Sequence, residues 1–253
     1  MTTMMIRALL ALILTLGAPA SVQAADCRQE RFDGALFTIC EVDLAQEDLR
    51  LFLRDAQGRV MGSFTRVEAS LGAGERLGFA INAGMFHDDR SPVGLYIENG
   101  QEEMQAVTSD GPGNFGLLPN GVFCILDGRA RVIETRAYAA DPPACRHATQ
   151  SGPMLVIDGA LHPRFLPQGT SRNIRNGVGV DRAGRRVIFA ISDAAVNFHH
   201  FGRLFRDLLG TPNALYLDGR VSRLYAPAIG RNDLGFPLGP ILGTVVDADD
   251  VGR

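Results

Sequence analysis

The chain has 253 residues, 46% of them hydrophobic and 7% aromatic, and a formal net charge of −3 at neutral pH. This composition predicts a globular protein with a substantial core, arranged as one large domain or at most two small ones. The acidic balance argues against a nucleic-acid-binding protein, which would normally be basic. The sequence contains arginine but no lysine, so any permanent side-chain cation that recognises an anion must be a planar guanidinium.

Residues 1–24 have the three-part pattern of a secretory signal peptide. Arg7 precedes an uncharged apolar run over 8–17, and Val22-Gln23-Ala24 places small residues where signal peptidase reads the chain. The run is shorter than the roughly 20 apolar residues that a membrane-spanning helix needs. The sequence therefore predicts cleavage after Ala24 and no membrane span. Residues 25–253 are expected to form a domain in the periplasm or outside the cell.

Four cysteines follow this segment, Cys27, Cys40, Cys124 and Cys145. In an oxidising compartment an even number predicts two disulfides, and four cysteines allow three pairings. We favour Cys27–Cys40 with Cys124–Cys145, because each of these pairs encloses one hairpin-sized segment. A zinc site is the alternative, although the sequence has no C-x-x-C pair.

Short apolar or alternating segments predict a strand-rich fold. The predicted strands are 34–42, 48–54, 77–81, 93–98, 121–126, 154–157, 177–180, 187–191, 215–217 and 241–246. A short helix is predicted over 63–71 and an amphipathic one over 197–209, with Gly210 placed to end it. Strands outnumber helices without regular alternation, which predicts an α+β single domain with a mixed, strand-rich sheet and a few flanking helices.

Polar clusters lie next to several predicted strands. They occupy 81–88, 109–115, 148–153, 171–177, 192–193 and 217–219. Each cluster by itself is ordinary turn chemistry. Because polar residues at several strand ends can converge on one cleft, the set together predicts a binding or catalytic site.

The order of these segments carries a family resemblance. The segments are INAGMF at 81–86, PVGLYIENG at 92–100, GNFGLLPNGVF at 113–123, ATQSGPMLVIDG at 148–159, SRNIRNGVGVD at 171–181 and NALYLDGRVSRLY at 213–225. In this order they resemble the phosphodiester glycosidase family, whose type enzyme removes N-acetylglucosamine from phosphodiester-linked mannose. The resemblance extends over about residues 36–246 and includes a bacterial exported branch.

Two motifs depart from the family pattern. Asn82-Ala83-Gly84-Met85-Phe86 stands where the family commonly has Asn-Gly-Gly-Phe-Phe. Arg220 follows Leu217-Asp218-Gly219 where the family commonly has a second glycine. The second change puts a bulky cation beside the motif's aspartate, so it bears on which substrate is accepted.

The resemblance implies an exported hydrolase that cleaves a sugar–phosphate linkage. The sequence assigns no cofactor and no metal ligand to it. Such a reaction passes through an oxocarbenium-like transition state, which needs a carboxylate to direct water or stabilise the cation. Asp218 is the first candidate, because it ends an apolar strand and falls on the aspartate of the family's Leu-Asp-Gly motif. Asp193 and Asp110 are candidates for a second carboxylate.

Arginine and amide side chains supply the remaining groups that the reaction needs. Arg175, with Arg172 in support, is predicted to bind the phosphate, because guanidinium groups pair oxyanions well. Asn82 and Gln150 are predicted to bind sugar hydroxyls or the attacking water, since amides both donate and accept. Asn114 is a further substrate-binding candidate. The expected partner is a glycan or sugar phosphate, and no nucleic acid.

Three alternatives remain at this point. The first is a non-catalytic periplasmic module that binds saccharide or envelope material on the same fold. The second is a metal-dependent phosphodiesterase using His87-Asp88-Asp89, His199-His200 and Asp193, although adjacent helical histidines point to different faces. The third is a serine hydrolase, which is the weakest because Ser151 lacks the G-x-S-x-G elbow.

Overall fold

The structure, a computed structural model, describes residues 25–248, and the predicted signal peptide at 1–24 lies outside the described residues. Within the described range the chain forms seventeen strands in three sheets. The strands are β1 Asp26–Phe32, β2 Ala35–Asp43, β3 Asp48–Phe52, β4 Glu75–Asn82, β5 Tyr96–Glu98, β6 Gln101–Met104, β7 Gly121–Leu126, β8 Arg129–Glu134, β9 His147–Ser151, β10 Met154–Ile157, β11 Ala160–Leu161, β12 Asn176–Val180, β13 Arg186–Ser192, β14 Asn213–Asp218, β15 Leu224–Ala226, β16 Arg231–Asn232 and β17 Ile241–Asp247.

Three short helices accompany the sheets. They are α1 Phe64–Ser70, α2 Thr135–Ala140 and α3 Phe198–Arg203. A π-helical turn at Leu204–Leu208 continues α3, and a 3₁₀ turn at Pro227–Ile229 follows β15. Asn197 caps α3, because its side chain accepts a hydrogen bond from the His200 N–H. The amphipathic helix predicted over 197–209 is thus a short α-helix extended by a π-helical turn.

The three sheets are antiparallel throughout the described part of the chain. The first has the order β1-β2-β13-β12-β14-β10-β11, the second β16-β15-β4-β17-β3 and the third β6-β5-β9-β7-β8. The predicted α+β, strand-rich class is confirmed. Three antiparallel sheets replace the single mixed sheet that was expected, because the apolar pattern marks strands but does not specify their pairing.

All the predicted strands are present, with ends displaced by at most three residues. The prediction missed several others, including β1 and β9. The β1 sequence DCRQERF is polar because this edge strand pairs on one side only, with β2. The β9 sequence HATQS looked like loop, yet all five residues are buried and bond to other protein groups.

The main core lies where the three sheets face one another. Phe189 of the first sheet contacts Phe79 of the second, with ring centroids 5.0 Å apart, and Phe123 of the third, at 6.1 Å. All three rings are buried. Edge and offset contacts of this kind stabilise aromatic clusters beyond the area they bury. One face of each sheet therefore packs into a common core.

The predicted disulfides are confirmed. Cys27–Cys40 joins directly opposite residues of β1 and β2, and Cys124–Cys145 joins β7 to the segment before β9. Disulfides of this kind are typical of proteins that fold outside the cytoplasm. None of the helices in residues 25–248 has the length and apolar character needed to cross a membrane.

We predict that replacing Cys124 and Cys145 together by serine lowers the free energy of unfolding by about 3 kcal/mol. The disulfide closes a loop with a sequence separation of 21, and closing such a loop removes conformational entropy from the unfolded chain. Urea unfolding of both proteins under oxidising conditions measures the difference. Equal midpoints would show that this bond does not contribute to stability.

Candidate active site

Strand ends from all three sheets meet at one edge of the first sheet. Asn176, at the start of β12, lies opposite Asp218, at the end of β14. Asn82 ends β4 of the second sheet and Ser151 ends β9 of the third. The Ser151 hydroxyl donates to the Leu217 carbonyl at 2.8 Å, which ties the third sheet to the first.

A chain of amide hydrogen bonds ties the second sheet to the same edge. The Asn176 Nδ2 donates to Asn82 Oδ1 at 2.9 Å and to the Asn82 carbonyl at 3.1 Å. The Asp218 N–H then donates to Asn176 Oδ1 at 2.8 Å. Asn82 Oδ1 also accepts from the Arg223 N–H at 2.9 Å. Asn82 and Asn176 are completely buried, so these bonds hold Asp218 at a fixed position.

Asp218 presents a half-buried carboxyl at this edge. Its Oδ1 accepts from the backbone N–H groups of Gly219 and Arg220, and no hydrogen bond from residues 25–248 ends on Oδ2. Burial raises the pKa of Asp218, while the Arg220 and Gly219 N–H groups oppose the rise. Hydrogen bonds fix one oxygen of this carboxyl, and its pKa is raised. Such a carboxyl is suited to transferring a proton or to directing a water molecule.

Arg175 lies completely buried beside this carboxyl-bearing edge. Its guanidinium stacks 3.6 Å from the ring centroid of Phe198 and 5.3 Å from that of Tyr216. Nε donates to the Val196 carbonyl and Nη2 to the Ser171 carbonyl, both at 2.9 Å. Nη1 is buried without a protein acceptor in the described range. Burial lowers the pKa of Arg175, and the aromatic faces favour its charge.

Tyr216 connects this guanidinium to the Asp218 turn. Tyr216 and Asp218 are two residues apart on β14, and the Asp218 carboxyl is close enough to act on the Tyr216 hydroxyl. Burial raises the pKa of the Tyr216 hydroxyl, while nearby Arg175 and Asn114 oppose the rise. A Cβ on Gly219 would lie 2.1 Å from this hydroxyl. The motif needs glycine here because any side chain would displace Tyr216.

A similar close approach explains the glycine in the first motif. A Cβ on Gly84 would lie 2.4 Å from the Gln150 carbonyl and 2.5 Å from Thr149 Oγ1. The backbone after β4 therefore passes directly against β9. This contact brings the Asn82 segment of the second sheet to the third sheet.

Gln150 occupies a structural position beside the site. Its Oε1 accepts from the N–H groups of Leu95 and Val107, at 3.1 and 2.9 Å, and its Nε2 donates to the Val107 carbonyl at 2.7 Å. Nε2 also donates to Thr135 Oγ1. Because these protein groups occupy both ends of the amide, Gln150 anchors the segment after β6, and we do not propose it as a sugar ligand.

Asp193 is placed in a separate ionic network. Its Oδ1 accepts from Arg231 Nη1 at 2.6 Å, and Arg231 also pairs with Asp233 at 3.0 Å. The Thr38 hydroxyl donates to Asp193 Oδ2 at 3.2 Å. This network joins β16 to the end of β13, two strands away from Asp218 in the first sheet. The Asp193 carboxylate is thus paired with the Arg231 guanidinium.

The other predicted residues lie around the margin. Asp110 is exposed on the loop after β6, and Asn114 of the same loop is half-buried near Tyr216. Arg172 is exposed and lines a groove of about 610 Å³ together with Asp33, His199, His200 and Arg203. The structure therefore groups Asp218, Asn82, Arg175 and Asn114, while Asp193, Asp110 and Arg172 face other surroundings.

Three residues important to this arrangement were missed by sequence reasoning. They are Asn176, Phe198 and Tyr216. Tyr216 could have been inferred from its two-residue spacing to Asp218 on a strand. Phe198 and Asn176 could not, because only tertiary packing brings them to Arg175 and Asn82.

The histidines proposed as metal ligands are dispersed. His200 Nε2 contacts the Phe32 carbonyl at 3.1 Å, and His199 lines the groove beside α3. Within residues 25–248 there is no group of three or more His, Cys, Asp or Glu side chains arranged to hold a metal ion.

Comparison with solved structures defines the class of this fold. The structure matches the catalytic domain of zebrafish N-acetylglucosamine-1-phosphodiester alpha-N-acetylglucosaminidase, auto-inhibited by its pro-peptide, with a TM-score of 0.60 and 14% identity over 87% of this chain and 81% of that one. A Burkholderia pseudomallei protein described as exported matches with a TM-score of 0.55 and 11% identity, over 83% and 74% of the two chains. The fold is thus that of a glycosidase catalytic domain.

Sequence comparison identifies the family. The family model described as phosphodiester glycosidase matches residues 75–234. The uncharacterized protein YigE of Escherichia coli (strain K12) is 34% identical over 179 residues, which are 71% of this chain and 70% of that protein. The chain belongs to the phosphodiester glycosidase family, and it is a hydrolase of that type.

We predict that Asn82→Ala lowers the free energy of unfolding by roughly 2–4 kcal/mol. The substitution leaves the buried Arg223 N–H without its acceptor and removes one of the two acceptors of the Asn176 Nδ2. An unsatisfied buried donor costs about 1–3 kcal/mol, and the lost second bond adds about 1 kcal/mol. Urea unfolding measures the change. Asn232→Ala, at an exposed position of β16, is the matched control and should change stability by less than about 0.5 kcal/mol.

Proposed function

We propose that this enzyme hydrolyses the bond between the anomeric carbon of a sugar and the phosphate of a glycosyl phosphodiester. The observation that carries the proposal is Asp218, whose carboxyl has one oxygen fixed by two backbone N–H groups. Family membership supports the reaction type. The position of Asp218 on the family's Leu-Asp-Gly motif supports its role.

In the proposed reaction a water attacks the anomeric carbon and the carbon–oxygen bond to phosphate breaks. The phosphate monoester leaves with the bonding electrons, and positive charge develops on the sugar ring. Asp218 directs the water, accepts its proton and stabilises the developing cation. The phosphate is a good leaving group, so its departure does not require a separate general acid.

Arg175 is proposed to balance the charge of the phosphate. Its Nη1 is a buried donor without an acceptor among residues 25–248, as is Nδ2 of Asn82. Buried donors are nearly always paired in folded proteins, so both are suited to oxygen atoms of the substrate. Asn114, beside Tyr216, is a further polar group for the sugar. Arg172 lines the groove beside α3 and is not proposed as a phosphate ligand.

The enzyme is proposed to act in the periplasm or outside the cell. The two disulfides indicate an oxidising compartment. The pattern at residues 1–24 predicts export, and a protein of the same fold is described as exported.

We predict that Asp218→Asn lowers kcat/KM for a glycosyl phosphodiester by 10²- to 10⁴-fold. The amide keeps the size of the side chain and an acceptor for the Gly219 and Arg220 N–H groups, but it cannot take a proton. Steady-state hydrolysis of a methyl N-acetylglucosaminyl phosphodiester measures the loss. Asp127→Asn, in the exposed β7–β8 turn, is the matched control. A folded Asp218→Asn enzyme with near wild-type activity would refute the catalytic role.

We also predict that kcat/KM falls as the pH is lowered, and that the midpoint of this fall lies above the usual pKa range of an aspartate. Asp218 must be ionised to accept a proton, and burial raises the pKa of its carboxyl. Activity should therefore be lost as pH falls through that raised value and be restored as pH rises. A profile of kcat/KM against pH tests this. A midpoint in the ordinary range would assign this fall to another group.

For Arg175 we predict that substitution by lysine weakens inhibition by a sugar 1-phosphate at least tenfold. Lysine keeps the positive charge but loses the planar stack on Phe198 and the paired donors. Arg175→Ala is less informative, because the side chain is completely buried. Measuring inhibition by the free sugar separates the explanations: an equal loss for both inhibitors would mean that Arg175 acts through folding alone.

A further inference from the structure

The loop after β16 exposes two large apolar side chains. Leu234 is 87% exposed and Phe236 is 78% exposed. Single exposed apolar residues are ordinary on protein surfaces, whereas neighbouring ones on one loop mark a candidate binding surface. The position of this loop decides what it could bind.

The loop is held at both ends and along its length. The Asp233 carboxylate accepts from the Leu224 N–H at 3.0 Å and pairs with Arg231. Arg223 Nη2 donates to the Phe236 carbonyl. Beyond it, Leu238 is buried and its N–H donates to the Gly62 carbonyl at 2.8 Å. The exposure of the two side chains is therefore built into a fixed backbone.

The same loop borders the proposed catalytic site. Arg223, which binds the Phe236 carbonyl, also donates its backbone N–H to Asn82 Oδ1. The Ala83 N–H, next to Asn82, donates to the Pro240 carbonyl at 2.8 Å. The loop thus runs along the segment that follows Asn82.

A third exposed apolar residue, Ile174, is linked to the Asp218 turn through Ser222. The Ser222 hydroxyl contacts both the Asp218 carbonyl, at 2.9 Å, and the Ile174 carbonyl, at 3.2 Å, and Ile174 is 44% exposed. We call Ile174, Leu234 and Phe236 the apolar rim. The exposed Arg220 lies on the same turn as Asp218, and its N–H donates to Asp218 Oδ1.

We propose that the apolar rim binds the alcohol part of the substrate and that this alcohol is a long aliphatic chain. The inference rests on the proposed function, because a glycosyl phosphodiester carries its sugar on one side of the phosphate and its alcohol on the other. With the sugar at Asp218, the alcohol must leave the cleft across its border. There Arg220 can face the phosphate while the rim covers part of the chain.

Continuity with the site favours a chain of the substrate over a separate ligand. A polar alcohol, such as a second sugar, would bury less apolar surface against Leu234 and Phe236 than an aliphatic chain would. An aliphatic chain gains roughly 25 cal/mol for each Å² of apolar surface removed from water. Because the sugar and phosphate anchor the chain, this contact adds to binding without a second association step.

The experiment compares two phosphodiesters of the same sugar, one methyl and one n-octyl, below the micellar concentration. Wild-type enzyme is expected to show a kcat/KM at least tenfold higher for the octyl ester. A Leu234→Ser/Phe236→Ser double variant should lose this preference and keep its activity on the methyl ester. Leu166→Ser, which removes a 68% exposed apolar side chain elsewhere, is the matched control and should retain the preference.

A binding measurement separates this inference from the proposed function. Calorimetry compares n-octyl phosphate with methyl phosphate, using the wild-type and double-variant proteins. If neither ester is hydrolysed but octyl phosphate binds tenfold more tightly and only to the wild type, the proposed reaction fails and the rim inference stands. If both esters are hydrolysed equally and both phosphates bind equally, the rim inference is overturned and the reaction stands.

Sedimentation with phosphatidylglycerol vesicles tests the competing explanation that the rim contacts a membrane surface. Vesicle binding that the double variant loses, together with equal rates for the octyl and methyl esters, would overturn the proposal. Retained preference for the octyl ester without vesicle binding would support it.

Discussion

The hydrogen-bonded chain from Asn82 through Asn176 to Asp218 is the interaction on which the site depends. Asn82 belongs to the second sheet, whereas Asn176 and Asp218 belong to the first. Both amides are buried, so water does not compete for their bonds, and breaking one would leave donors unpaired at considerable cost. The same contacts that join two sheets therefore set the backbone of Asp218. The stability of the fold and the geometry of the proposed site therefore rest on one set of polar groups.

Arg175 adds a second constraint of the same kind. A guanidinium without a carboxylate partner is costly to bury, and here Phe198, Tyr216 and two backbone carbonyls compensate the charge. Its remaining donor has no protein acceptor within the described residues. A buried polar group that lacks a protein partner near a site is often functional, because the substrate can supply the missing partner.

Polar and apolar groups around the site have different roles. Gln150, Ser151 and the Asp193–Arg231 pair hold loops and strand ends in position through bonds to other protein groups. The apolar core of three facing sheets carries the bulk of the burial, so the edge can be polar without loss of stability. Outside the edge, a fixed loop exposes the apolar side chains of Leu234 and Phe236, which are proposed to contact the alcohol part of the substrate.

The sequence by itself predicted ten of the seventeen strands in the described residues, the two disulfides and the family motifs. Apolar alternation is a local property with a period of two residues, and each cysteine pair spans a single hairpin-sized segment. The tertiary structure decided which candidate residues share the site. Arg172 and Arg175 are three residues apart, yet one is exposed and the other completely buried. Asp193 was a candidate for the second carboxylate, and the structure pairs it with Arg231, which is distant in sequence. Strand register and the packing of separate sheets create these differences, and no local pattern encodes them.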